Sequence, residues 1–164
     1  MSKSRASSKV SWEPLSILLD DGLPELVRQH HAEVGVFKRE MPLDVDWDGY
    51  YQDERNGILR VLGARIDEKL VGYSSFCIFK GHRHYRSTPH ALNDGIFVLK
   101  RHRHTGIGVE LIDKGERDIL ADFAPRFVRF RYHDKTFVNL IGPVLKKRGY
   151  EHNEDGWDKM TRAA

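Results

Sequence analysis

"NDGIFVLKRHRHTGIG", residues 93–108, is the stretch from which the rest of the chain can be read. Ile96, Phe97, Val98 and Leu99 form a β-branched and aromatic run, which predicts a buried strand. Cations and histidines follow, and then Gly106 and Gly108 stand where a helix begins, with Ile107, Leu111, Ile112 and Ile119 at helical spacing on its inner face. A helix N-terminus offers unpaired N–H groups and a partial positive charge, and glycine lets an anion approach the backbone closely. Two glycines alone describe an ordinary turn equally well. Their position between a strand and a helix, behind a run of cations, points to a cradle for a phosphate.

Working outward, residues 10–17, "VSWEPLSI", read as a first strand interrupted by Pro14. Pro24 suits the first turn of a helix that carries Leu23, Leu26, Val27 and Val34 inward until Gly35 stops it. Residues 41–54, "MPLDVDWDGYYQDE", show no clear period and are expected to form a loop with short helical turns. "ILRVLGARI" and "LVGYSSFCIF" predict a hairpin joined at Asp67, Glu68 and Lys69. "GHRHYRSTPHA" reads as a loop, "IFVLK" as a strand, and the helix after Gly106 is expected to end near Asp122, before Pro125. In "RFVRFRYH", Val128, Phe130 and Tyr132 alternate with Arg129 and Arg131, the pattern of a strand with one buried face. Residues 135–150 read as a helix interrupted at Pro143, and the end of the chain as a hairpin turning at Asp155-Gly156. The order predicts a mixed α/β domain over residues 10–164, with residues 1–9 a disordered leader lacking the apolar segment of a signal peptide.

The chain has 164 residues and a formal charge of +3, which is compatible with an anionic ligand but is weak evidence by itself. Local charge is more informative. Residues 80–104 hold six Lys or Arg, five His and one acid, whereas residues 40–54 hold six acids and no base. The single cysteine, Cys77, falls in an apolar strand and reads as a buried inert thiol in a reducing compartment, so a cytoplasmic location is expected. No apolar run approaches the roughly 20 residues a membrane-spanning helix needs. His82, His84 and His90 lack the ligand spacing of a closed zinc site, and no metal is expected. Trp47, Tyr50 and Tyr51 are read as packing anchors in preference to a substrate cage. Gly115 inside a helix costs about 1 kcal/mol against Ala, which close packing of helix on sheet would explain.

The segment resembles the acyl-CoA signature of the GNAT superfamily of N-acyltransferases. Asp94, Val98, Arg103, Gly106 and Gly108 match that pattern in type and order, and the order of elements matches through "RGY" before the terminal hairpin. "HYRSTPHALND", residues 84–94, is similar to a stretch in small phage and bacterial members. The resemblance implies a largely antiparallel sheet whose parallel central strands splay apart at a bulge that leaves amides unpaired, flanked by helices, and acetyl-CoA as co-substrate. It places the pyrophosphate on the amides of His104, Thr105, Gly106, Ile107, Gly108 and Val109, with Arg103 assisting. The pantetheine arm would pair with Phe97, Val98 and Leu99, and the amide of Val98 or Leu99 would hold the thioester oxygen.

An ammonium is no nucleophile, so the reaction needs a base for the amine and an acid for the leaving thiolate. Asp94 is the first candidate base, with His133 and His90 behind it; each also has an ordinary structural reading. Many members carry a Tyr as general acid where this chain has Leu145, which leaves Tyr85, Tyr132 or water. An asparagine common in members falls on Val138, with Asn139 one step away as a further coenzyme contact. The expected activity is acetyl transfer to a primary amine, whether a protein lysine, a protein N-terminus or a small cationic amine drawn by the acidic segment. Two other readings stay open: a nucleic-acid-directed protein, suggested by "KGHRHYR", and a non-enzymatic inhibitor on the same scaffold.

Overall fold

The computed structural model describes residues 8–35, 38–39, 41–81, 83–132 and 141–152. The first strand, β1 (Ser8–Trp12), takes in Ser8 and Lys9, which the sequence reading assigned to the leader. It ends before Pro14, and the chain turns into the short helix α1 (Leu15–Asp20) instead of continuing as a strand. Proline has no N–H for a ladder, but its carbonyl accepts from the Leu18 amide and so begins a helix. Helix α2 (Leu23–Val34) has Pro in its first turn and ends at Gly35, as its periodicity predicts.

The acidic stretch departs from expectation. Residues 47–55 form a regular helix, α3 (Trp47–Arg55), capped by the Asp46 carboxylate, which accepts from the Gly49 amide at 2.9 Å. At its other end, Glu54 Oε1 accepts from the Leu15 amide at 2.8 Å, tying α3 to the start of α1.

The hairpin β2 (Leu59–Ile66) and β3 (Lys69–Phe79) forms as predicted. Strand β4 (His90–Val98) begins six residues before the run that announced it. Helix α4 (Ile107–Phe123) follows, then a strand shorter than expected, β5 (Arg129–Arg131), and α5 (Gly142–Lys147) with Pro143 in its first turn. The expected terminal hairpin, and residues 135–140 of the expected long helix, lie outside the described residues.

The strands lie in sequence order in a single sheet. Pairs β1–β2, β2–β3 and β3–β4 are antiparallel, and β4–β5 is parallel. One face packs on α4 through Leu62, Phe76, Ala91, Leu111 and Ile119. The other carries α1, α2 and α3 over Leu59, Val61, Tyr73 and Phe97. Gly115 lies where α4 crosses Phe76: a Cβ there would stand 2.7 Å from the Phe76 ring, and that ring is fully buried. Gly115→Val is therefore expected to lower stability by about 1–3 kcal/mol through overpacking, read as a fall in the thermal midpoint by circular dichroism.

Candidate active site

The site is built around a dislocation in β4. Ser75 pairs with Gly95 and Phe76 with Asn93, so Asp94 is an extra residue without a partner on β3. Asn93, only 3% exposed, holds this bulge from within: its side-chain amide donates to Ser74 Oγ at 2.9 Å and to the Ser75 carbonyl at 3.0 Å. Asp94 is thereby turned outward, where its carboxylate accepts from the Tyr50 hydroxyl at 2.8 Å. Burial, and then the charge of Asp94, push the Tyr50 phenol well above its ordinary range, so it stays protonated and donates.

Beyond the bulge β4 loses its neighbour. Only His90, Ala91 and Leu92 pair with β5, and among the described residues no strand lies beside the rest of β4 on that edge. The Leu99 amide donates to the Val71 carbonyl at 2.9 Å, so it faces β3 and is not available to a thioester oxygen as the resemblance had it. Alternation along a strand then directs the N–H groups of Ile96 and Val98 to the open edge.

The chain leaves that edge through a 3₁₀ turn, Lys100–His102, and reaches α4 by two residues with left-handed backbone: His104 at φ +68° and Gly106 at φ +90°. Thr105 Oγ1 steadies the turn by donating to the His102 carbonyl at 2.7 Å. Gly106 caps α4, leaving the amides of Ile107, Gly108 and Val109 at the helix start without intrahelical partners. Gly108 has neither a positive φ nor a crowded neighbourhood: a Cβ there would meet only Val98 Cγ2, at 3.9 Å. Its glycine is unexplained by the protein's own packing and suits a group seated against the backbone. The Arg103 guanidinium makes a two-point ion pair with Glu33 of α2, at 2.7 and 2.8 Å, and its Nε donates to the Val98 carbonyl at 2.9 Å. It therefore braces the turn against α2, and the unengaged donors at the start of α4 are its backbone amides.

A cavity of about 350 Å³ opens on the α1–α3 face of the sheet beside the bulge, with Asp94, Tyr50, Ser75 and Tyr73 among the residues that line it. His30 of α2 also lines it; its Nδ1 lies 2.8 Å from the Tyr73 hydroxyl and its ring stacks on Phe97. Sequence reasoning passed over His30, although it falls on the same helical face as Leu23, Leu26, Val27 and Val34. The acidic segment does not give the cavity a negative wall. Met41, Leu43, Val45 and Trp47 line it, while Asp44, Asp46 and Asp48 are exposed to solvent.

Of the other sequence candidates, His90 and Tyr85 stack on each other at the start of β4, about 13 Å along the strand from Asp94 at roughly 3.3 Å per residue. Tyr85 is 57% exposed, and neither residue lines the cavity. Tyr132 packs edge-on against Phe76, on the sheet face opposite the cavity. Leu145 is buried in α5. His133, Asn139 and His82 lie outside the described residues. Burial raises the Cys77 thiol to about 11, as suits an inert cysteine. Among the described residues no group of three His, Cys, Asp or Glu side chains is placed to hold a metal ion.

A family model for the acetyltransferase (GNAT) family matches residues 24–130. The chain belongs to that family. This GNAT protein is accordingly an acyltransferase with acetyl-CoA as co-substrate. Its fold is similar to that of an aminoglycoside acetyltransferase from an uncultured soil metagenomic sample, solved with sisomicin: TM-score 0.72, 14% identity, 94% of this chain and 97% of that chain covered. It is also similar to a predicted acetyltransferase from Clostridium acetobutylicum with acetyl-CoA, at TM-score 0.67 and 14% identity, covering 94% of this chain and 96% of that one. A ribosomal-protein-alanine N-acetyltransferase from Brucella melitensis biovar Abortus matches at TM-score 0.62 and 17% identity, covering 96% of this GNAT chain and all (100%) of its own. No curated protein matches the GNAT chain by sequence. No helix among its described residues is long and apolar enough to cross a membrane.

The buried His30 gives this GNAT domain a pH signature. Burial lowers its pKa below the ordinary histidine value, with Arg103 adding to the effect and Glu33 opposing it. As pH falls, the unfolded chain takes up the proton first, so the contribution to stability is complete above about pH 6.5 and is lost as pH falls through the lowered folded value. Thermal midpoints measured across that window should decline in the native protein and decline less in His30→Gln.

Proposed function

We propose that the enzyme acetylates a primary amine by direct attack on the thioester, with Asp94 as the base. The observation that carries this reading is the placement of one outward-facing carboxylate at the bulge of β4, between a cavity and a strand edge that runs into the start of α4. The co-substrate supplies an acetyl group activated as a thioester. Every other part of the task falls to the chain.

The open edge of β4 offers the Ile96 and Val98 N–H groups to an extended arm, and the amides of Ile107, Gly108 and Val109 offer three donors to phosphate oxygens. Of these edge groups the Val98 amide suits a developing oxyanion, since the Leu99 amide is engaged with Val71. Arg103 acts as a brace, holding the turn to Glu33 and to the Val98 carbonyl. Asp94 accepts the ammonium proton, directly or through one water, and Tyr50 fixes the direction of its carboxylate. As the C–N bond forms and the C–S bond breaks, the leaving thiolate takes its proton from water or from the His30–Tyr73 pair, hydrogen-bonded at the same cavity, the role for which Leu145 has no proton to give. Both an amino group on a protein and one on a small molecule meet these requirements.

Release of free thiol from acetyl-CoA in the presence of an amine panel tests the reading; no release with any amine would overturn it. Asp94→Asn is expected to lower turnover by about 10²–10⁴-fold while leaving acetyl-CoA binding, measured by calorimetry, nearly unchanged. Gly108→Val separates binding from folding. It fills open space and so should leave the unfolding free energy within about 1 kcal/mol of the native value, yet weaken acetyl-CoA binding about tenfold or more.

A further inference from the structure

We infer that the acceptor is a small primary monoamine carried on an apolar body, and that polyhydroxylated polycations and lysine side chains are poor acceptors. This rests on the reading that the cavity beside Asp94 takes the acceptor.

The wall formed by residues 41–47 alternates. Met41, Leu43, Val45 and Trp47 face the cavity, whereas Asp44 and Asp46 between them are exposed, and Asp46 is engaged in capping α3. A stretch that carries six acids over residues 40–54 thus presents the cavity with hydrocarbon and indole. Helix α2 contributes Val27 and Val34, with His30 and His31 between them. Among the described residues that line the cavity, Asp94 is the one carboxylate, and it lies at the end next to the open strand edge. Of the other polar groups in the lining, Tyr50 is engaged with Asp94 and Tyr73 with His30, while His31 lies beside Gly35 at the end of α2.

Such a lining matches one cation at one end of an apolar molecule. A polyamine sugar would bring several ammonium groups to a single carboxylate and set its hydroxyls against Val27, Leu43 and Val45, with their hydrogen bonds to water lost and none regained. A lysine side chain is apolar along its stem but brings the polar backbone of its peptide to the Met41 and Leu43 rim. The volume of about 350 Å³ lies at the lower end of ligand clefts, as a single-ring amine requires.

The test compares 2-phenylethylamine, sisomicin and a lysine-bearing peptide as acceptors for the purified chain with acetyl-CoA. The expected result is a kcat/KM for 2-phenylethylamine about tenfold or more above the other two. Leu43 is 40% exposed, so Leu43→Asp is tolerated by the fold and should lower that value about tenfold while leaving or raising the value for sisomicin. Leu43→Asn, which adds no charge, serves in its place if the aspartate variant fails to fold. A preference for sisomicin or the peptide overturns the apolar acceptor and leaves amine acetylation intact. Absence of thiol release with all three counts against amine acetylation, and the acceptor class is then read from binding alone. Saturable quenching of Trp47 fluorescence by 2-phenylethylamine, abolished in Trp47→Phe and at concentrations about tenfold below those of sisomicin, upholds it. Equal or reversed quenching overturns it.

Discussion

One extra residue in the central strand sets the geometry on which the rest of this molecule depends. An unbroken antiparallel pairing would place alternate residues of β4 on alternate faces from end to end. With Asp94 inserted, the strand turns its carboxylate toward the cavity, and only the three residues before the bulge pairing partner Asn93 stay beside β5. Bulges bend and twist the strand that carries them, so the extra residue and the divergence of the two strands are one event. A buried side-chain amide left without partners would cost about 1–3 kcal/mol, and Asn93 avoids that by donating to Ser74 and to Ser75 on β3. The polar run Ser74, Ser75, Asn93 in the middle of an otherwise apolar sheet is the internal support of the site.

The two halves of the site are tied into one body by Arg103. Its guanidinium joins the turn before α4 to Glu33, its Nε holds the last carbonyl of β4, and its plane lies near the Phe97 ring, on whose surroundings His30 also stacks. Glu33 and His30 are both on α2, the helix that walls the cavity. The hydrogen bond from Arg103 holds the Glu33 carboxyl below its ordinary range, so the pair is ionised at neutral pH. Both partners are only about one-fifth exposed, where a pair fixed at two points is stronger than an ordinary surface pair. The turn before α4 and the helix that walls the cavity are therefore held together through Arg103.

Much of this was legible in the sequence because it is local. The strand, basic turn and helix of residues 93–108, the hairpin and the stop of α2 at Gly35 all follow from periodicity and glycine chemistry within a few residues. What was missed is non-local or hidden by composition. The resemblance implied a bulge in the central strand, but a bulge is a mismatch between two strands, so nothing in "ALND" alone places it at Asp94. The contacts that give Asp94 and Arg103 their settings come from Tyr50 and Glu33, which are 44 and 70 residues away in the chain. His30 sits in the right helical period, but a polar residue on an apolar face breaks the pattern that would reveal it. In residues 41–47 the density of acids conceals a period of two, and α3 is signalled mainly by the Asp46 cap, since its own residues are mostly polar.

That hidden period changes the electrostatic character of the site. Summed along the sequence, the acidic segment looks like a counterpart to the basic one, and the pair suggests an entrance attractive to any cation. In three dimensions Asp44, Asp46 and Asp48 are exposed to solvent while Met41, Leu43, Val45 and Trp47 line the cavity, so in the proposed reaction charge that steers from a distance is separated from the surface that selects on contact. Asp94 then bears the whole carboxylate charge among the described lining, at the point where the proposed reaction needs a base. A single carboxylate in a chamber walled largely by hydrocarbon orients one ammonium strongly and offers it no second carboxylate. In the proposed reaction, the apolar wall thereby contributes to rate as well as to selection, because it leaves the amine only one place to stand.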